Sequence, residues 1–163
     1  MGISRILIVL AAFVLGTSCF NEPDCIVTAS TAIKIDFKQT KINPTTFIRA
    51  TVDSLVFFTT VFVTGIDTAY IKDKQLSSLT LPIDPHTKEI KFVFNIKSSN
   101  GAFTRKDSMS FNYASESRVI APKCGAYTYF LDLKVKSASY DSTKYRLVSN
   151  RLLKNTTNVQ VFY

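Results

Sequence analysis

Between residues 33 and 162 the dominant spacing of the apolar side chains is every second position, and no helical period lasts beyond a turn. Successive side chains leave a strand on opposite faces, so this spacing is that of strands with one face buried. Ile33, Ile35 and Phe37 alternate with Lys34, Asp36 and Lys38. Ile90, Phe92, Phe94 and Ile96 alternate with Lys91, Val93 and Asn95, and Met109, Phe111 and Tyr113 with Ser108, Ser110 and Asn112. Tyr127, Tyr129, Leu131, Leu133 and Val135 form a further inward set, and Val159 and Val161 the last. Residues 52–63 are rich in Val, Phe and Thr with little alternation, and read as one central strand covered on both faces.

Turn signals separate these runs: Asn43-Pro44, Thr64-Gly65, Asp84-Pro85-His86, Asn100-Gly101, Pro122-Lys123-Cys124-Gly125 and Asp141-Ser142. Asn100-Gly101 between two alternating runs predicts a hairpin. Segment 143–155 reads as a strand or a short helical turn. Seven to nine short strands at this spacing predict an all-β, antiparallel β-sandwich of immunoglobulin-like type, with residues 31–163 as one domain.

Composition removes several chemistries. The chain has one His and no Trp, and of its five Gly two, Gly2 and Gly16, lie in the first eighteen residues. Too few glycines remain for a phosphate-cradling loop, and one His without a Cys-pair motif leaves no ordinary zinc site. His86 lies in a turn with no nucleophile elbow near it. Catalytic, cofactor and metal residues are therefore set at none, and the chain is read as not an enzyme. A hydrolase whose carboxylates meet only in space is a third reading.

Twenty Lys and Arg against twelve Asp and Glu give a formal charge of +8, or +7 once Arg5 leaves with a leader. The cations are spread over most strands, where Lys guards exposed edges. No basic cluster carries a nucleic-acid recognition motif. A functional version of this charge is contact with lipopolysaccharide or another acidic glycan.

Residues 1–18 have one charge, Arg5, followed by an unbroken apolar run over residues 6–15. That is a signal peptide, too short to remain as a membrane span. Leu15-Gly16-Thr17-Ser18-Cys19 resembles a bacterial lipobox, which makes Cys19 the lipidated residue and 19–30 a tether. Gly16 and Ser18 also suit an ordinary signal peptidase, and both readings start the mature chain at Cys19. The three Cys are odd in number. Lipidating Cys19 leaves Cys25 and Cys124 as a pair for a disulfide in an oxidising compartment. Closing so long a loop is worth about 4–5 kcal/mol in the chain-entropy description. Two buried free thiols are the alternative.

Cys25, the alternating first strand, Leu81-Pro82-Ile83, Asp107 with Phe111 and Tyr113, and Cys124-Gly125 followed by Tyr127 and Tyr129 form a pattern along the chain. In this pattern the chain resembles small Bacteroidetes-type outer-membrane lipoproteins of unknown function. The resemblance implies a sandwich and outer-membrane placement, and no mechanism. Phe20 stands where an inner-membrane retention Asp would be, and Asn21-Glu22-Pro23-Asp24 is similar to an acidic surface-export signal or is simply a polar tether. Asp followed by Ser or Thr at Ser54, Thr68, Ser108 and Ser142 resembles the O-glycosylation sequon of exported Bacteroidetes proteins. Turns leading into strands give the same pattern. The expected function is a non-enzymatic envelope lipoprotein, a structural or interaction accessory at the outer membrane. The alternative is a module that binds anionic glycan or lipopolysaccharide. The membrane face, the protein partner and the oligomeric state stay open.

Overall fold

The computed structural model describes residues 27–66, 68–97, 104–121 and 124–163. The leader, Cys19, Cys25 and the Asn100-Gly101 turn lie outside the described residues. The strands are β1 (Ala32–Ile42), β2 (Arg49–Asp53), β3 (Val56–Val63), β4 (Ile71–Leu76), β5 (Ser78–Pro82), β6 (Glu89–Lys97), β7 (Thr104–Ala121), β8 (Gly125–Ala138), β9 (Tyr145–Leu147) and β10 (Val159–Phe162). A 3-10 turn, Ser142–Lys144, precedes β9. Among the described residues no helix is long and apolar enough to cross a membrane.

Two sheets divide the strands. In the first, β1 is central. One edge of β1 pairs in parallel with β10, which also carries β9. Its other edge is shared end to end by β5, opposite residues 32–36, and β2, opposite residues 38–42. The second sheet is antiparallel, in the order β4-β3-β6-β7-β8.

One core serves both sheets. Ile33, Ile35 and Phe37 of β1 are fully buried, as are Phe58, Phe92 and Phe111 of the second sheet. The Phe37 ring lies 5.2 Å from that of Phe58 and so joins the layers. The alternations read for β1, β6, β7 and β10 are those the fold buries.

Registers also set the two ends of the molecule. The Ile83 N–H donates to the Thr31 carbonyl (3.0 Å), so the chain enters β1 beside the exit of β5. The β3–β4 turn and the start of β6 lie at this entry end, since Val63 faces Phe92. Residues 114–121 and 125–131 continue past the last β6 pair, Glu89 with Asn112, as a two-stranded ribbon at the same end. The β1–β2 hairpin tip lies at the opposite end.

Among the described residues there are ten strands, not seven to nine, and the β1–β10 pair is parallel, so the first sheet is mixed. Two further expectations change, and the open reading of segment 143–155 is resolved. Residues 52–63 are not one strand: Asp53 ends β2 in the first sheet, and Val56 begins β3 in the second. The step between them is held by the Ser54 N–H, which donates to the Phe37 carbonyl (2.8 Å). In β8 the buried residues are Phe130 and Leu133, while Tyr127 and Tyr129 are half-buried. Asp132, at φ 53°, sits at a shift in register that inserts a residue into β8 and resets its phase. Segment 143–155 holds the short β9 and a buried Leu152, the 3-10 turn before it being capped by Asp141, whose side chain accepts from the Thr143 N–H (3.0 Å).

Candidate functional site

The outward face of the second sheet gathers cations in register. One row runs Lys72, Thr60, Asn95, Lys106 across β4, β3, β6 and β7. The next runs Phe62, Val93, Ser108, and the one beyond pairs Lys91 with Ser110. On the other side of the lysine row, Phe57 faces Lys97, whose ammonium lies 5.8 Å from the ring centroid. These positions face outward because Val61, Phe94 and Ile96 beside them are buried in the core. Asn95 and Thr60 lock the middle of the row, the amide donating to the hydroxyl at 2.6 Å. No carboxylate stands in these rows, and among the described residues Lys72, Lys91, Lys97 and Lys106 have no ion-pair partner. At the margin Glu89 is occupied by Lys136 at 2.6 Å. A shallow depression of about 450 Å³ opens between Phe62, Ile66, Lys91, Val93 and Lys106, and Asp107, buried and paired with Arg105 at 2.7 Å, is also on its wall. Uncompensated lysines around half-buried rings suit a flexible anionic chain, which needs charge and a surface to lie on.

A second concavity, about 600 Å³, lies at the entry end between the β3–β4 turn and the β5–β6 loop. Ile66, Tyr70, Ile83 and Ile90 give it an apolar floor, and Asp84, Glu89 and Lys91 a mixed rim. Gly65, at φ +89°, makes the turn on one side. Tyr113 of β7 holds the loop on the other. Its hydroxyl donates to the Asp84 carbonyl (2.8 Å), so the 2.7 Å contact with Thr87 is one in which the Thr87 hydroxyl donates. Burial pushes the Tyr113 hydroxyl up from its ordinary value. The Ser115 hydroxyl donates to the Pro85 carbonyl (2.9 Å). The wall is therefore fixed, and its two carboxylates against one lysine suit an anion less well than the sheet face does.

The residues singled out from sequence fall in different places. His86 is exposed in the β5–β6 loop, its N–H donating to the Asp84 carboxylate (2.8 Å), which ties that carboxylate to the turn. Among the described residues no group of three or more His, Cys, Asp or Glu could hold a metal. Ser54 is buried, Thr68 and Ser142 are exposed, and Ser108 is half-buried on the lysine face. Cys124 sits half-buried at the start of the β8 arm of the ribbon, while Cys19 and Cys25 lie outside the described residues. The sequence showed only cations spread over most strands. Their alignment needed the pairing of β4 with β3 and of β6 with β7, for which the only signal was Lys at solvent positions of successive alternating runs.

A model for a family of unknown function, DUF6452, matches residues 58–163. The chain belongs to this family. No curated protein and no solved structure matches it significantly. The DUF6452 match starts inside β3 and includes Phe62, Lys72, Lys91, Lys97 and Lys106. It leaves out β1, although β5 and β10, both matched, pair with that strand. The family region therefore closes its core on residues from outside the match.

Proposed function

We propose that this DUF6452 protein is a non-enzymatic interaction protein of the cell envelope, whose lysine-bearing sheet face takes up an anionic glycan or lipopolysaccharide. The observation that carries the reading is the set of Lys72, Lys91, Lys97 and Lys106 on one face without a carboxylate among them. Charge of this kind steers anionic polymers and is screened by salt. Binding of the full chain to purified lipopolysaccharide, followed by light scattering or calorimetry, should weaken by more than tenfold between low and high ionic strength. Lys72→Glu with Lys106→Glu should weaken it similarly at low salt. Affinity indifferent to both would end the reading.

The same proposal holds the chain at the outer membrane by a lipid on Cys19. The apolar run over residues 6–15 followed by Leu15-Gly16-Thr17-Ser18-Cys19 supports it. A thioether-linked diacylglycerol on Cys19, detected by mass spectrometry of the N-terminal peptide, is the expected product. A mature chain with an unmodified Cys19 would refute the anchor and leave the binding face untouched. A disulfide between Cys25 and Cys124 completes the reading. It is supported by the state of Cys124, which is that of a disulfide cysteine, and by the shared end at which residue 31 enters and the ribbon projects. An immunoglobulin-like description is supported by two sheets of short strands that share one core.

A further inference from the structure

The β1–β2 hairpin ends in a tip with three exposed apolar side chains beside its Pro44-Thr45-Thr46 turn. Phe47 is 81% exposed, Ile48 64% and Ile42 55%. Single exposed apolar residues are ordinary on a surface; three together at a projecting tip are not. The tip has a fixed shape. The Asn43 N–H donates to the Ile48 carbonyl (3.0 Å) and the Phe47 N–H to the Asn43 carbonyl (2.9 Å). The Asn43 side-chain oxygen accepts from the Thr45 and Thr46 N–H groups at 2.9 and 3.2 Å. Much of the loop's backbone is thus already satisfied when water is removed. Phe47 itself adopts φ 55°, a region that bulky residues seldom occupy. A Gly or Asn would hold that turn at less cost, so the fold keeps an aromatic ring facing solvent at a strained position.

Charge says what the tip meets. Residues 39–52 contain no Asp or Glu, while Lys41 and Arg49 stand one step behind the apolar residues, Arg49 opposite Ile42. Apolar groups near a small turn with cations behind them is the order of a bilayer interface, where rings and aliphatics sink and long cationic side chains stay level with the headgroups. An apolar groove on a protein would not call for two unpaired cations. We propose that the β1–β2 tip is a lipid-docking element that inserts Phe47 and Ile48 into the interface of an anionic bilayer, with Lys41 and Arg49 on the headgroup phosphates. The tip lies at the opposite end of the molecule from the chain entry and belongs to the other sheet from the lysine face, so this inference does not rest on the function proposed above.

The chain contains no Trp, which makes a site-specific reporter available. Phe47→Trp in the full chain should shift its emission to the blue with vesicles of phosphatidylglycerol and phosphatidylcholine, and be quenched by lipids carrying a nitroxide on the acyl chain. Val119→Trp, an exposed apolar position on the ribbon at the entry end, should show neither change. Adding Lys41→Gln and Arg49→Gln should raise the lipid needed for half-maximal quenching by about thirtyfold, from two cations lost at an anionic surface. The result should be the same with Cys19→Ser, because the reporter reads the tip and not the anchor. No response to anionic vesicles, or an equal response to pure phosphatidylcholine, would overturn the proposal. A concentration-dependent blue shift without vesicles would overturn it in favour of a second copy of the chain.

Discussion

The hydroxyls of Tyr140 and Tyr163 meet at 3.0 Å, bringing the segment after β8 against the end of β10. The Arg105 guanidinium lies over both rings, 5.9 Å from the Tyr140 centroid and 5.1 Å from that of Tyr163. Its own charge is held by the buried Asp107 at 2.7 Å. Burial pushes both tyrosine hydroxyls above their ordinary range, with the partner hydroxyl adding to the effect on Tyr140.

Alkali should therefore unfold the protein early. Above about pH 10 the unfolded chain releases the tyrosine protons and the folded one keeps them, so the folded state binds more protons and stability falls as pH rises. Tyr140 contributes up to about 1.4 kcal/mol per pH unit in that window, and Tyr163, which solvent reaches, contributes less. Denaturant midpoints between pH 8 and 11 check this. A Tyr140→Phe, Tyr163→Phe variant should lose most of the slope; an unchanged slope would show that other groups cause it.

Asn158 is 1% exposed and holds three segments together. Its side-chain oxygen accepts from the Lys34 N–H (3.0 Å), and its amide donates to the carbonyls of Ser149 (3.3 Å) and Arg151 (2.9 Å). Asn158→Leu should cost about 2–4 kcal/mol, because it leaves buried backbone groups without partners. Asn158→Asp keeps the acceptor but buries a carboxylate, so its loss should shrink as pH falls and the acid takes a proton. Two variants with the wild-type urea midpoint would show that the network does not hold the fold.

At Gly65 a Cβ would meet nothing within 4 Å, yet φ is +89°. Conformation, not space, sets this residue. Gly65→Ala should cost about 1–2 kcal/mol and Gly65→Asn less, since Asn tolerates left-handed backbone. Equal stability of all three proteins in thermal unfolding would contradict that.

Under the proposed pairing, Cys25→Ser should lower stability by about 2–5 kcal/mol. The Cys25→Ser, Cys124→Ser double variant should be no worse than either single one, because both remove the same bond. Unfolding without reductant measures all three. Additive losses would mean the two sulfurs are not joined, and loss with Cys19→Ser instead would name Cys19 as the partner.

Where one face of a strand is buried and the other wet, alternation carries the information, and β1, β6, β7 and β10 were legible for that reason. Residues 52–63 were not, because hydrophobicity does not record a change of sheet: Ser54 and Leu55 belong to neither strand, one buried and the other 65% exposed. In β8 the phase depends on the left-handed Asp132, and nothing in its neighbours marks it as the residue that adopts φ 53°. Each lysine of the candidate site was visible, but a row such as Lys72 to Lys106 exists only once three strand registers are known. Phe47 carried no signal in the sequence, since exposure at a tip has no periodicity to reveal it.

The parallel pairing of β1 with β10 sets an order of events during synthesis. Lys34 and Asn158, bonded through backbone and side chain at that junction, are 124 positions apart. A chain delivered from its N-terminus presents residues 35–38 long before residues 159–162 arrive. Through that interval one edge of β1 stays open beside Ile35 and Phe37, a template for strands of other chains. Contacts this distant slow folding and lengthen the exposed period. For this protein the hazard is one of timing: until β10 pairs with it, β1 offers an open edge to the strands of other chains.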